Sequence, residues 1–166
     1  VTPTMWRLRT MLELWAVVLV ANLIGIFASV ALADNAGIAM PHQIEAFLEV
    51  SHHLADRSAL ANIGLGVPAG FLLATLVWGL ADMKSGRLWL IIIVTYIIAV
   101  GEFSHVVAGS AEVFLLALHG DMTFGAAFGQ FIFPTLLGNV LGGTGLFALI
   151  AYGQVRHEIS EPGERK

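Results

Sequence analysis

Histidine is the side chain whose ordinary charge change falls between pH 5 and 8. One of the six histidines in this chain, His105, lies where charge is costly. It sits in the 31-residue stretch Leu88–Leu118, in which only Glu102, His105 and Glu112 carry charge near neutral pH. Gly101 and Gly109 bracket it, with Ser104 and Ser110 alongside. The chemistry open to such a histidine is proton-linked transport, since an ionisable residue at membrane depth marks a transport site. A bare anion in the bilayer interior costs on the order of tens of kcal/mol by idealised solvation, and a neutral small acid far less. A charged imidazole attracts an anion or donates a proton to it, and a neutral one leaves an apolar barrier. Glu102, three residues earlier, is placed either to relay protons to His105 across one helix face or to hold the chain at a break. Backbone N–H groups near Gly109 offer a contact for a small anion. The plainer alternative is a packing histidine bonded to a backbone carbonyl.

The element that must position these residues cannot be one straight helix. Thirty-one residues at 1.5 Å rise span roughly 46 Å, against a hydrocarbon core of about 30 Å. The spacing predicts a membrane helix interrupted near residues 102–110, and irregular backbone at that depth is tolerated only where it is buried in protein or lines a watery cavity. Composition agrees with a membrane setting. The chain is 57% hydrophobic and 12% charged, which excludes disorder and argues against an ordinary soluble domain. It has no cysteine, so disulfide, thiolate and iron–sulfur chemistry are excluded. No cofactor, enzymatic role or nucleic-acid partner is expected.

Four segments are long and apolar enough to cross: Leu14–Ala33, Ser58–Ala81, Leu88–Leu118 and Phe124–Val155. The last carries Pro134, Gly138, Gly142, Gly143 and Gly145, which predict bending and close helix contact. Arg7 and Arg9 precede the first span, which has no cleavage site and reads as a span rather than a leader. With that end cytoplasmic, Arg7, Arg9, Lys84, Arg87, Arg156, Arg165 and Lys166 fall inside and Arg57 alone outside. Seven against one places both ends of the chain in the cytoplasm, and the whole reads as a single transmembrane domain over 1–166. Between the first two spans, Pro41–Arg57 sets Ile44, Phe47, Leu48 and Leu54 at helical spacing behind a proline suited to a helix start. This reads as an amphipathic helix on the outer surface or over the next helix. His42, His52 and His53 invite a metal site, but the adjacent pair points apart on a helix.

Two spans share a pattern. Leu19-Val20-Ala21-Asn22-Leu23-Ile24-Gly25 and Leu136-Leu137-Gly138-Asn139-Val140-Leu141-Gly142 both read apolar-apolar-small-Asn-apolar-apolar-Gly. A membrane asparagine needs a partner, and the flanking small residues let another backbone approach. Asn22 and Asn139 are therefore read as structural contacts at helix breaks, in equivalent places of two inverted repeats of three helices each. Chance likeness between two glycine-containing apolar helices is the alternative.

These residues resemble the formate/nitrite transporter family. Phe103-Ser104-His105-Val106-Val107-Ala108-Gly109-Ser110 is similar to the family's Phe-Glu-His-Ser-Val-Ala-Asn-Met around its pore histidine. Phe131 to Gly143, with Pro134-Thr135-Leu136-Leu137-Gly138-Asn139-Val140-Leu141-Gly142-Gly143, is similar to its last-helix pattern. Arg87 stands where the family has a lysine, eighteen residues before the histidine. Ser104 replaces a family glutamate, Gly109 a family asparagine, and Gly70 another on the fourth helix. The resemblance implies an aquaporin-like helical bundle matching family helices three to six, with the first two absent from this chain. It further implies a homopentamer with one pore per protomer in a bacterial inner membrane, and a small monovalent weak-acid anion as substrate. Ile98 is where it places an apolar constriction on the cytoplasmic side. Leu73 is a candidate on the other side, and Arg87 would gather anions at the cytoplasmic mouth. Two other classes are weighed. His105 and His119 are spaced as two haem ligands on one helix, although no other span offers a histidine. An aquaporin-like facilitator of neutral solutes lacks its paired Asn-Pro-Ala segments.

Overall fold

A computed structural model describes residues 5–160, with side chains through 153. Arg165 and Lys166 lie outside the described residues, as do the side-chain contacts of Arg156. The described chain is helical. Helix α1 spans Met5–Asn35, α2 Pro41–Ala55, α3 Ala59–Asp82, α4 Arg87–Val100 and α5 Val106–His119. One further helix starts at Phe124 and is described to Ser160. It alternates α-helical segments with two π-helical ones, Ala127–Ile132 and Leu141–Leu146. Three helices are long and apolar enough to cross a membrane: α1, α3 and Phe124–Gly153.

The stretch Leu88–Leu118 is two helices of 14 residues each, joined through Gly101–His105. The way α4 ends explains the break. Glu102 adopts a left-handed conformation, φ 49°. The chain then doubles back, so that Glu102 N–H donates to Ala99 O at 3.1 Å and Phe103 N–H to Ile98 O at 3.0 Å. Those two bonds satisfy carbonyls that a helix end otherwise leaves open. The interruption is shorter than the expected 102–110. Gly109 and Ser110 are buried inside α5 and do not disturb its register. The Glu102–His105 relay across one helix face is corrected as well, because neither residue lies in a helix. The local reason is the same left-handed cap, which turns the chain at Glu102.

The chain packs as two compact units. The first comprises the chain to Asp56 together with Val107–Ala127. Within it α2 begins at Pro41, as expected, and Met40 N–H donates to Gln43 Oε1 at 2.9 Å. Phe27 meets Phe114 and Phe124 edge-on. His119 at the end of α5 bonds Asp34 at the end of α1, Nε2 to Oδ1 2.9 Å. No residue of α1 is buried.

The second unit is Arg57–Val106 with the chain from Phe128 onward. Its centre is the packing of α3 on the last helix. Gly66 and Gly70 of α3 face Gly138, Asn139 and Gly143, and Gly142 faces Val67 and Phe71, so closely that a methyl group at Gly70 or Gly142 would strike the facing backbone. Glycine is needed there for proximity, as at other membrane helix contacts. Ser58 starts α3 by accepting a hydrogen bond from Ala61 N–H at 3.2 Å, a standard N-cap. That cap fixes Arg57 at the threshold of the helix.

Candidate functional site at the helix break

The second unit holds the break and the residues around it. His105 is half-buried and is the last residue before α5. Ser104, immediately before it, is buried and tied at every polar group. Its N–H donates to Leu65 O of α3 at 3.2 Å. Its C=O accepts from Asn139 Nδ2 at 2.9 Å. Its hydroxyl donates to Asn62 Oδ1 at 3.1 Å, and Arg57 Nη1 lies 3.5 Å from the same oxygen.

Asn139 is the second anchor. Its Oδ1 accepts the N–H of Val106, the first residue of α5, at 3.0 Å. Its Nδ2 also donates to Gly66 O at 2.9 Å. One amide thus serves both sides of the break and the facing helix. An amide can make these bonds with two donors and an acceptor, and the missing methyl groups at Gly66 and Gly70 let it come this close.

Asn62 is the third anchor, and its surroundings follow from a proline. In an α-helix Gln130 O would receive the N–H of residue 134. That residue is Pro134, which has none. Asn62 Nδ2 donates to Gln130 O instead, at 2.7 Å. Asn62 is fully buried.

Arg57 closes the network on its other side. Its guanidinium pairs with Glu102 Oε2 at 3.0 Å and reaches Glu102 O at 3.3 Å. The arginine side chain is 13% exposed and the glutamate 68%. The strength of this pair comes from the sheltered cation having further acceptors, since an exposed pair alone contributes little.

The other expected site residues are placed as follows. Ile98 is half-buried and anchors the break through its carbonyl. Leu73 is half-buried within α3. Gly109 is buried one turn into α5. Arg87 begins α4 and bonds Met83 O through Nε at 2.8 Å. Asn22 does not repeat the role of Asn139, for its Nδ2 donates to Val18 O on its own helix at 2.8 Å. It lines an open groove of about 470 Å³ in the first unit with Ala21, Gly25, Ile26, Ser29, Val30 and Ala111. His119 gives Nε2 to Asp34.

Arg57 and Asn62 are the residues that sequence reasoning passed over. Arg57 was visible only as a lone charge outside the membrane. Asn62 carried the same signal as Asn22 and Asn139, an amide within an apolar span, but it stands outside the shared pattern.

The sequence pattern described as formate/nitrite transporter matches residues 3–153. The chain belongs to that family. Its members are transporters rather than enzymes, so this is a membrane protein of a transport family. The chain is also 30% identical over 158 residues to the inner membrane protein YfdC of Escherichia coli (strain K12). That alignment covers 95% of this chain and 51% of the relative, so the chain spans about half the relative's length. No solved structure matches the chain significantly.

Proposed function

We propose that the full-length protein conducts a small monovalent weak acid or its anion, of the formate and nitrite class, and that His105 controls passage. The observation that carries this reading is the presentation of His105 at a helix break sealed on both sides by Asn139. A histidine carried at so firmly bonded a break, in a member of a formate/nitrite transporter family, is suited to changing the electrostatic barrier when it protonates. In this reading α4 and α5 together make one broken crossing. The bundle is an aquaporin-like pair of inverted repeats completed by upstream helices. Ile98 and Leu73 flank the histidine as apolar constrictions, and Arg87 draws anions to the cytoplasmic mouth. The protein sits in a bacterial inner membrane with its C-terminus cytoplasmic, as a homopentamer.

The test is uptake of formate, nitrite and related acids into proteoliposomes carrying the full-length protein. Wild-type uptake is expected to change with pH across the range in which a histidine titrates, about pH 5–8. His105→Phe abolishes that dependence while the protein still assembles. Arg87→Gln lowers uptake mainly at low salt, because long-range attraction is screened by ions. If His105→Phe keeps the wild-type pH profile for every acid, His105 is a packing residue and the reading fails.

A further inference from the structure

We propose that Asn62 is a positioning residue for His105, acting through the hydroxyl of Ser104. This rests on the reading of His105 as the controlling group. The geometry gives a one-way relay of hydrogen bonds. Arg57 donates to Ser104 Oγ, Ser104 donates to Asn62 Oδ1, and Asn62 donates to Gln130 O. Every donor is directed away from Arg57 and toward the carbonyl that Pro134 leaves without its helical partner. That carbonyl is a fixed acceptor, so it sets which way the Asn62 amide faces. The amide in turn offers its oxygen to Ser104, and this holds the Ser104 hydroxyl in one rotamer. Asn62 and Ser104 are both buried, so water cannot readily substitute for either bond. Ser104 is covalently joined to His105, and its backbone is already held by Leu65 and Asn139. The Asn62 and Arg57 bonds fix the Ser104 side chain as the Leu65 and Asn139 bonds fix its backbone, so the residue that carries His105 is held at every polar group.

A residue that merely fills space at this depth would be replaceable by leucine, which has the branched four-atom side-chain shape of asparagine, is somewhat larger and has no polar atoms. A positioning residue would not. Replacement takes the acceptor from the buried Ser104 hydroxyl and the side-chain donor from Gln130 O.

The experiment compares wild type, Asn62→Leu, Ser104→Ala, Ser104→Thr and the double variant Asn62→Leu/Ser104→Ala in the full-length protein. Two readouts are taken. The first is the pH profile of formate uptake into proteoliposomes. The second is the titration of the His105 imidazole by NMR of histidine-labelled protein in lipid nanodiscs, assigned by loss of its signal in His105→Gln. Each single loss variant is expected to lower uptake about tenfold, the scale of one broken buried hydrogen bond. Each is also expected to move the His105 titration midpoint. The double variant is no worse than the worse single, because both act on one bond. Ser104→Thr, which keeps the hydroxyl, restores the wild-type midpoint. Where Asn62→Leu does not reach the membrane, Ser104→Ala against Ser104→Thr decides the matter by the same two readouts. The proposal is overturned if the His105 titration is unchanged in Ser104→Ala, or if the two losses multiply to about a hundredfold. A wild-type protein that takes up no acid at any pH sinks the transport reading instead. A shifted His105 titration in the variants then still establishes the positioning role.

Discussion

At the residue scale, the break separates backbone geometry from charge in a way that two substitutions can measure. Glu102 holds a left-handed conformation, which costs a residue with a Cβ roughly 1–2 kcal/mol. It also supplies a carboxylate to Arg57. Glu102→Ala and Glu102→Gly both lose the carboxylate, and only alanine retains the backbone strain. The glycine variant is expected to be the more stable of the two by about 1 kcal/mol, read by thermal unfolding in detergent. Equal stabilities would mean that α4 does not end in this cap. Asn139→Leu is the severe case, since it strips partners from Val106 N–H, Ser104 O and Gly66 O together. Loss of a buried network of that kind is expected to prevent stable folding, with full-length protein failing to survive extraction.

At the element scale, α3 and the last helix meet through glycines, and the glycines are not equivalent. Gly142→Ala places a methyl group on the backbone of Val67, and Gly70→Ala places one on Asn139. Each is expected to cost about 1–3 kcal/mol through overpacking. Gly145→Ala meets nothing within 4 Å and is expected to be neutral or stabilising by up to about 1 kcal/mol from helix propensity. Thermal melts of the three variants check the ranking. Much of this element scale was legible in the sequence. The lengths of apolar runs located α3 to within one residue at each end, the start of the last helix at Phe124 and the end of α1 within two residues, although α1 begins nine residues before the expected Leu14, and Pro41 marked the start of α2. The length of Leu88–Leu118 required a break. Its boundaries were not legible, because flanking glycines suggested a wide interruption, whereas the chain turns at a left-handed glutamate. The site was legible where a residue stood out against its own span, as His105 and Asn139 did. Arg57 was hidden because its function depends on Glu102, 45 residues away, and no local pattern connects them. The π-helical segments were equally hidden, for glycine and proline announce a disturbance without specifying its hydrogen bonds.

At the scale of the whole molecule, the two copies of the asparagine–glycine pattern stand in opposite states. Asn139 and Gly142 are engaged by α3, while Asn22 bonds its own helix and Gly25 has nothing within 4 Å. If the two are related as inverted repeats, upstream helices of the full-length protein cover Gly25 as α3 covers Gly142. Gly25→Ala is then expected to destabilise the full-length protein by about 1–3 kcal/mol, and a neutral effect there would make the shared pattern a coincidence. Orientation is open to a direct check, since the chain has no cysteine. An impermeant maleimide on intact cells is expected to label Gly37→Cys, between α1 and α2, and to label Ser85→Cys, between α3 and α4, only after the membrane is opened. The seal at the break also has a place in time. Ser104 O waits for Asn139, a residue made 35 positions later. At 5–20 residues per second the ribosome needs about 2–7 seconds to supply it. If α4 and α5 form one broken crossing as proposed, the break has an unfinished backbone during that interval, which hydrocarbon does not accept. The nascent segment must therefore stay beside the insertion machinery, or in contact with water, until the final helix arrives. The final helix is then the step that commits the nascent break to the bilayer.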